Sequence, residues 1–242
     1  MKKKSETSLT KNIINKDKIP TNTIEEYQSY IGSDEVGVGD YFGGLVVCAV
    51  YIDKKDEAKL KELGVKDSKD LTDLQMEYMY PEIIKIVKYS FLSYMPSQYN
   101  AFISKYKNTH ILKAYMHNNC ICRLNKKLNI QAHAVIDQFV NSDKYYSYFK
   151  ELNIEPYTDI TFEPKAENKY VAVACASIIA RVEFLMQIKV IKKLLKIDFP
   201  LGSSDKRVIE CAKYVYENYG KEGLYNNVKI DFKTTDKVIS KK

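Results

Sequence analysis

The chain has 242 residues, 45% of them hydrophobic, and a formal net charge of +7. That length allows one or two domains with a sizeable buried core. It shows no apolar run long enough for a membrane helix, and its Lys-rich start lacks the apolar segment of a secretory signal.

The charge sits at the ends. Residues 1–20 carry six lysines against Glu6 and Asp17, and residues 221–242 six lysines against three acids, so the stretch between them is balanced. Basic ends suit contact with a polyanion, and they equally suit solvated tails. The five cysteines are scattered and form no CxxC pair, which points away from zinc and from a disulfide framework. The expectation is buried, reduced thiols in a cytoplasmic protein. Arginine is scarce: Arg123, Arg181 and Arg207 stand against 35 lysines.

In chain order, residues 1–22 are polar and aperiodic and read as a flexible basic arm, with the folded part expected over 23–242. "YQSYIGSDE" reads as a strand running into a turn, and "YFGGLVVCAVYI" as a strand that begins with glycine. "KDEAKLKELG" is a short helix stopped by Gly64. Thr72 and Gln75 form a capping box before an apolar helical period, with Pro81 expected to kink or split that helix. "YSFLSYM" reads as a strand, "THILKAYMHNNCICRLNKKL" as a helix, "AHAVID" as a buried strand and "DITFEPKAE" as a short strand ending near Pro164. A long helix follows over "NKYVAVACASIIARVEFLMQIKVIKKLLK", then another over "SSDKRVIECAKYVYENYG", closed by Gly220. Strands and helices mix without repeats, which predicts an α/β domain built on a mixed sheet.

Acids collect at the ends of these elements. Asp34 and Glu35 close the first strand, Asp137 closes another, and Glu167 precedes the long helix. A lone Asp-Glu pair is commonly an ordinary turn. If all four acids converge, their mutual repulsion demands protons or cations, and a hard divalent ion such as Mg²⁺ is the natural partner for carboxylates, water and phosphate oxygens. Gly37-Val38-Gly39 follows directly, offering backbone N–H groups with little side-chain obstruction. Its spacing to Gly43 is one residue too long for a dinucleotide fingerprint, and the preceding acids would repel a pyrophosphate.

The ordered set "IGSDEVGVGDYFGGLVVCAVYI", "LGVKDSKDLTD", "HILKAYMHNN", "HAVIDQF", "ITFEPKAENKYVAVACASIIARVEFL" and "DFKTTDKV" resembles bacterial ribonuclease HIII, within the type 2 ribonucleases H. The resemblance implies a ribonuclease H-like fold with a mixed central sheet flanked by helices and a helical C-terminal part. It implies an endonuclease that hydrolyses RNA in RNA/DNA hybrids and leaves 5′-phosphate and 3′-hydroxyl ends. It also implies Mg²⁺ or Mn²⁺, two ions per site with substrate bound, and a monomer without an obligate protein partner. Asp34, Glu35, Asp137 and Glu167 match the family's catalytic, metal-binding acids. Gly37, Val38 and Gly39 match its ribose-facing loop, and Lys66, Ser68, Lys69, Ser177 and Arg181 match positions beside the nucleic acid. His117 matches a family histidine and reads as structural. The chain departs from the pattern at Val38, commonly threonine, and at Gly44, commonly proline. Thirty residues precede Ile31, too few for the family's usual N-terminal binding domain. Two rivals stay open: incision at single ribonucleotides in DNA, as in ribonuclease HII, and a hybrid-binding protein without catalysis.

Overall fold

The computed structural model describes residues 27–65 and 71–240. The arm expected at 1–22, together with Lys66, Ser68 and Lys69, lies outside the described residues.

Strands β1 (Ser29–Val36), β2 (Leu45–Asp53), β3 (Lys88–Tyr94), β4 (Ala134–Asp137) and β5 (Ile160–Glu163) form one sheet in the order β3-β2-β1-β4-β5. β1, β2 and β3 run antiparallel, while β4 is parallel to both β1 and β5. The mixed sheet and its helical layers bear out the predicted fold class.

Around it lie α1 (Glu57–Glu62), α2 (Asp73–Ile86), α3 (Pro96–Tyr106), α4 (Thr109–Leu128), α5 (Ser142–Leu152), α6 (Val171–Leu195), α7 (Lys206–Asn227) and α8 (Lys233–Ile239). Side chains alternate across each strand, so the sheet has two apolar faces. Val46, Cys48, Val50 and Val135 pack with α6 and with residues of α2 and α7. Ile31, Val47, Ala49 and Ile136 pack with α3, α4 and α5. Covering on both sides explains why β2 reads as a nearly unbroken apolar run.

β1 and α6 approach very closely. A Cβ on Gly32 would lie 2.2 Å from the Val173 nitrogen, so glycine at this position lets the start of α6 rest on the strand that carries Asp34.

Several expectations need correction. Pro81 neither splits nor ends α2, which runs on to Ile86. Met79 and Ile83 on either side of Pro81 hold the helix in the core. The break at Gly220 is real, with φ 64° and ψ −158°, but helix resumes to Asn227. α3, α5 and α8 were not foreseen. α6 is long and apolar enough to cross a membrane by length and composition, but Arg181 and Glu183 interrupt its apolar run and 78% of its most apolar stretch is buried inside this protein. Cys48, Cys120 and Cys175 are buried free thiols as expected, whereas Cys122 and Cys211 are only half-buried.

Candidate active site

The parallel pairing of β1 and β4 sets Ser33 against Ile136, which brings Asp34 and Asp137 to the same end of neighbouring strands. Glu167 reaches that edge from a short 3-10 turn, Ala166–Asn168, just beyond β5. Asp137 secures the turn by accepting a hydrogen bond from the Ala166 N–H at 2.9 Å. Asp34 and Glu167 are buried, and Asp137 is half-buried.

Crowding shows in the ionisation of these acids. Burial pushes Asp34 up to about 8, reinforced by the charges of Glu35 and Asp137; hydrogen bonds from Ser177 and from the Glu35 N–H oppose the rise. The latter bond is 2.7 Å long. Asp137 is also raised, first by burial and then by Glu167 and Glu35, against the Ala166 N–H. Burial and neighbouring carboxylates both favour the protonated form of an acid.

Glu35 behaves differently. Burial would raise it, but His117 and Lys113 hold it below the usual carboxylate range. Lys113 forms an ion pair with its Oε1, and His117 Nε2 lies 2.8 Å from its Oε2. His117 Nδ1 is 2.8 Å from Ser33 Oγ, whose hydroxyl donates to the Cys48 carbonyl at 2.8 Å. Lys113 and His117 stand one turn apart on α4 and therefore share a face. Phe139 floors the group: the Lys113 ammonium is 4.0 Å from its ring centroid, and His117 stacks on it at 5.6 Å.

The donor set fits a hard divalent cation. Asp34, Asp137 and Glu167 offer oxygens, and a cation would offset the burial and the mutual repulsion that raise Asp34 and Asp137. Among the described residues, no group of three or more His, Cys, Asp or Glu is set close enough to hold a metal ion as it stands.

The glycine loop lies beside the acids. Gly37 has φ +103°, and a Cβ there would come 2.7 Å from both the Gly44 carbonyl and the Phe184 ring. Gly39 differs: it has no positive φ, and a Cβ would meet nothing within 4 Å. Val38 and Gly39 face solvent. Gly44, where the resembling family commonly has proline, donates its N–H to Gln187 Oε1 at 3.1 Å and passes so close to the Tyr94 carbonyl that a Cβ would lie 1.8 Å away. Proline would lose the bond and meet the clash.

Ser177 meets Asp34 from α6. Arg181, one turn further on, is not brought to the acids. Its guanidinium is held by Asp73 at the start of α2, at 2.8 and 3.1 Å.

Lys229 anchors the loop from below. Fully buried, it donates to the carbonyls of Asp40 at 2.5 Å and Gly43 at 3.0 Å. Burial pushes this lysine down to about 7, opposed by Asp40 and Asp231. A neutral amine has two N–H groups, enough for both carbonyls. The folded state thus releases the proton more readily than the unfolded chain, and stability from this group is gained as pH rises from about 7 toward the ordinary lysine value of 10.5. Relative to Lys229→Met, the wild-type protein gains up to roughly 1.4 kcal/mol of unfolding free energy per pH unit in that window. Urea unfolding of both proteins at pH 7 and pH 9 checks this; a constant difference refutes it.

Sequence reasoning missed Lys113 and Phe139. The signal available was the spacing of Lys113 and His117, which marks one helix face and says nothing of its partner.

A family model for ribonuclease HII matches residues 31–235. Ribonuclease HIII of Ureaplasma parvum is 39% identical over 219 residues, covering 90% of this chain and 69% of that protein. Among solved structures, Bst-RNase HIII in complex with Mn²⁺ superposes with a TM-score of 0.82 at 34% identity, over 87% of this chain and 68% of that one. The ribonuclease H2 of Pyrococcus horikoshii gives a TM-score of 0.73 at 28% identity, over 87% of this chain and 96% of that one.

Proposed function

This chain belongs to the ribonuclease HII and HIII family, and from that premise we propose how its groups share the work. It is a ribonuclease H that hydrolyses the RNA of RNA/DNA hybrids with a divalent metal. The observation that carries the site assignment is the convergence of Asp34, Asp137 and Glu167 at one sheet edge, with Asp34 raised to about 8, beside the open backbone of Gly39.

Asp34, Glu35, Asp137 and Glu167 hold Mg²⁺ or Mn²⁺, two ions when substrate is bound. Metal held by these acids would supply an activated water and would offset charge on the leaving oxygen. Ser177 orients Asp34 through its hydrogen bond, and Ala166 N–H orients Asp137. Gly37-Val38-Gly39 presents backbone to the ribose, where the 2′-hydroxyl separates RNA from DNA. The strand is cut to leave a 5′-phosphate and a 3′-hydroxyl. Lys66, Ser68 and Lys69, outside the described residues, are proposed to bind substrate phosphates, and Arg181 to join them when the substrate draws it from Asp73.

The unit that does this is 23–242, a monomer acting in the cytoplasm in replication and repair. The arm at 1–22 adds electrostatic contact with the duplex. Each phosphate it neutralises steepens the salt dependence of binding by about 0.9 in log-log slope on the duplex-DNA scale. Cleavage of a long hybrid in Mg²⁺ or Mn²⁺, with an all-DNA duplex left intact, tests the function, and the same assay after deleting residues 1–20 tests the arm. Deletion is expected to raise KM and flatten its salt dependence while kcat holds. Identical KM and salt slope would remove the arm from the account.

One observation favours a second substrate. This chain spans 96% of the Pyrococcus horikoshii ribonuclease H2. A duplex carrying one embedded ribonucleotide decides whether incision at such sites accompanies hybrid cleavage.

A further inference from the structure

The ammonium of Lys113 lies inside the acidic centre. The side chain is 7% exposed, so the charge cannot reach solvent along its own stem. It is placed between the Glu35 carboxylate and the Phe139 ring, whose centroid is 4.0 Å from Nζ. On the far side of Glu35, His117 takes the second carboxylate oxygen and is itself held by Ser33. Both Glu35 oxygens are therefore engaged by α4, while Asp34 and Asp137 are crowded by acidic neighbours.

A cation arriving at this centre gains Glu35 only by taking an oxygen from Lys113. The two positive charges also repel across a buried space, where Coulomb interactions are poorly screened. We propose that Lys113 is a built-in counter-ion that competes with the divalent metal for Glu35, so that it sets metal affinity in the enzyme free of nucleic acid. Lys113 is then a positioning residue: it acts on Glu35 and holds its carboxylate in place. The phosphates of a bound hybrid, lying against the same centre, would offer the displaced ammonium a new partner, which ties metal loading to substrate. This inference rests on the four acids being the metal site.

Mn²⁺ binding to the substrate-free protein, followed by electron paramagnetic resonance of the unbound ion, tests it without any cleavage. Lys113→Met removes the charge and keeps the stem. Lys113→Gln is the second variant and keeps a donor toward Glu35. Both are expected to bind Mn²⁺ more tightly by on the order of tenfold, within the usual range of coupling between two ligands of one site. Lys113→Arg, which retains the charge, is expected to stay near wild type, as a purely structural role for the lysine stem would not require. Asp137→Asn serves as the control for the site and is expected to lose most Mn²⁺ binding. If Asp137→Asn weakens binding while both uncharged variants leave it unchanged or weaker, the competition is refuted and the site stands. If Asp137→Asn binds as wild type does, the site assignment and the inference both fall.

Discussion

Asp34→Asn and Asp137→Asn each reduce hybrid cleavage on the order of a thousandfold or more, the scale seen when one directly acting polar group is removed from a reaction centre. Each substitution keeps shape and volume and deletes the charge that would bind a metal. The same change relieves the fold. Asp34 is held up to about 8 in the folded protein, against 3.8 for an ordinary aspartate. A carboxyl whose folded pKa is raised contributes stability below its unfolded pKa and loses that contribution as pH climbs through the window. The window here runs from about 4 to about 8. In chelator, therefore, Asp34→Asn gains on wild type as pH rises from 5 to 8, by up to roughly 4 kcal/mol. Urea unfolding at the two pH values reads the gain, and steady-state cleavage reads the loss. Full cleavage by either variant would remove these acids from the reaction. An Asp34→Asn protein with no pH-dependent gain would mean that burial and the neighbouring acids do not raise Asp34.

The division between what the chain reveals and what only the fold reveals follows from range. Asp34, Glu35, Asp137 and Glu167 stand at element ends that local patterning locates, and adjacent parallel strands then bring Asp34 and Asp137 together. Thr72 and Gln75 form the capping box that their spacing announces. Other signals were present and weaker: Pro96 with Gln98 opens α3, and Asn141 caps α5. Pairings across the fold leave no local trace. Arg181 reaches Asp73 across 108 positions, and His117 reaches Glu35 across 82. Lys113 looks like any lysine on a helix until β1 is laid against α4. Lys229 lies in a polar stretch that reads as surface, and it is buried because the C-terminal segment closes under the glycine loop.

The glycines of that loop separate folding from recognition. Gly37→Ala is expected to destabilise the protein by roughly 3 kcal/mol or more, because two independent costs coincide. A left-handed φ of +103° disfavours any Cβ, and the added carbon would fall 2.7 Å from the Gly44 carbonyl and from the Phe184 ring. Neither can yield easily: Gly44 is fixed against Tyr94 and Gln187, and Phe184 is fully buried. Gly39→Val should leave thermal stability nearly unchanged, since its backbone is not left-handed and the space is open. Open space beside the acids is what a ribose would need, so the branched side chain should cut kcat/KM on the hybrid by about a hundredfold, the scale of a misplacement of about 1 Å. Val38→Thr, which leaves the backbone path clear, should keep activity. Thermal melts and cleavage kinetics on the three variants read the two effects apart. A Gly39→Val enzyme as active as wild type would mean that the ribose does not approach this loop, and a stable, active Gly37→Ala protein would mean that the turn is not built as described.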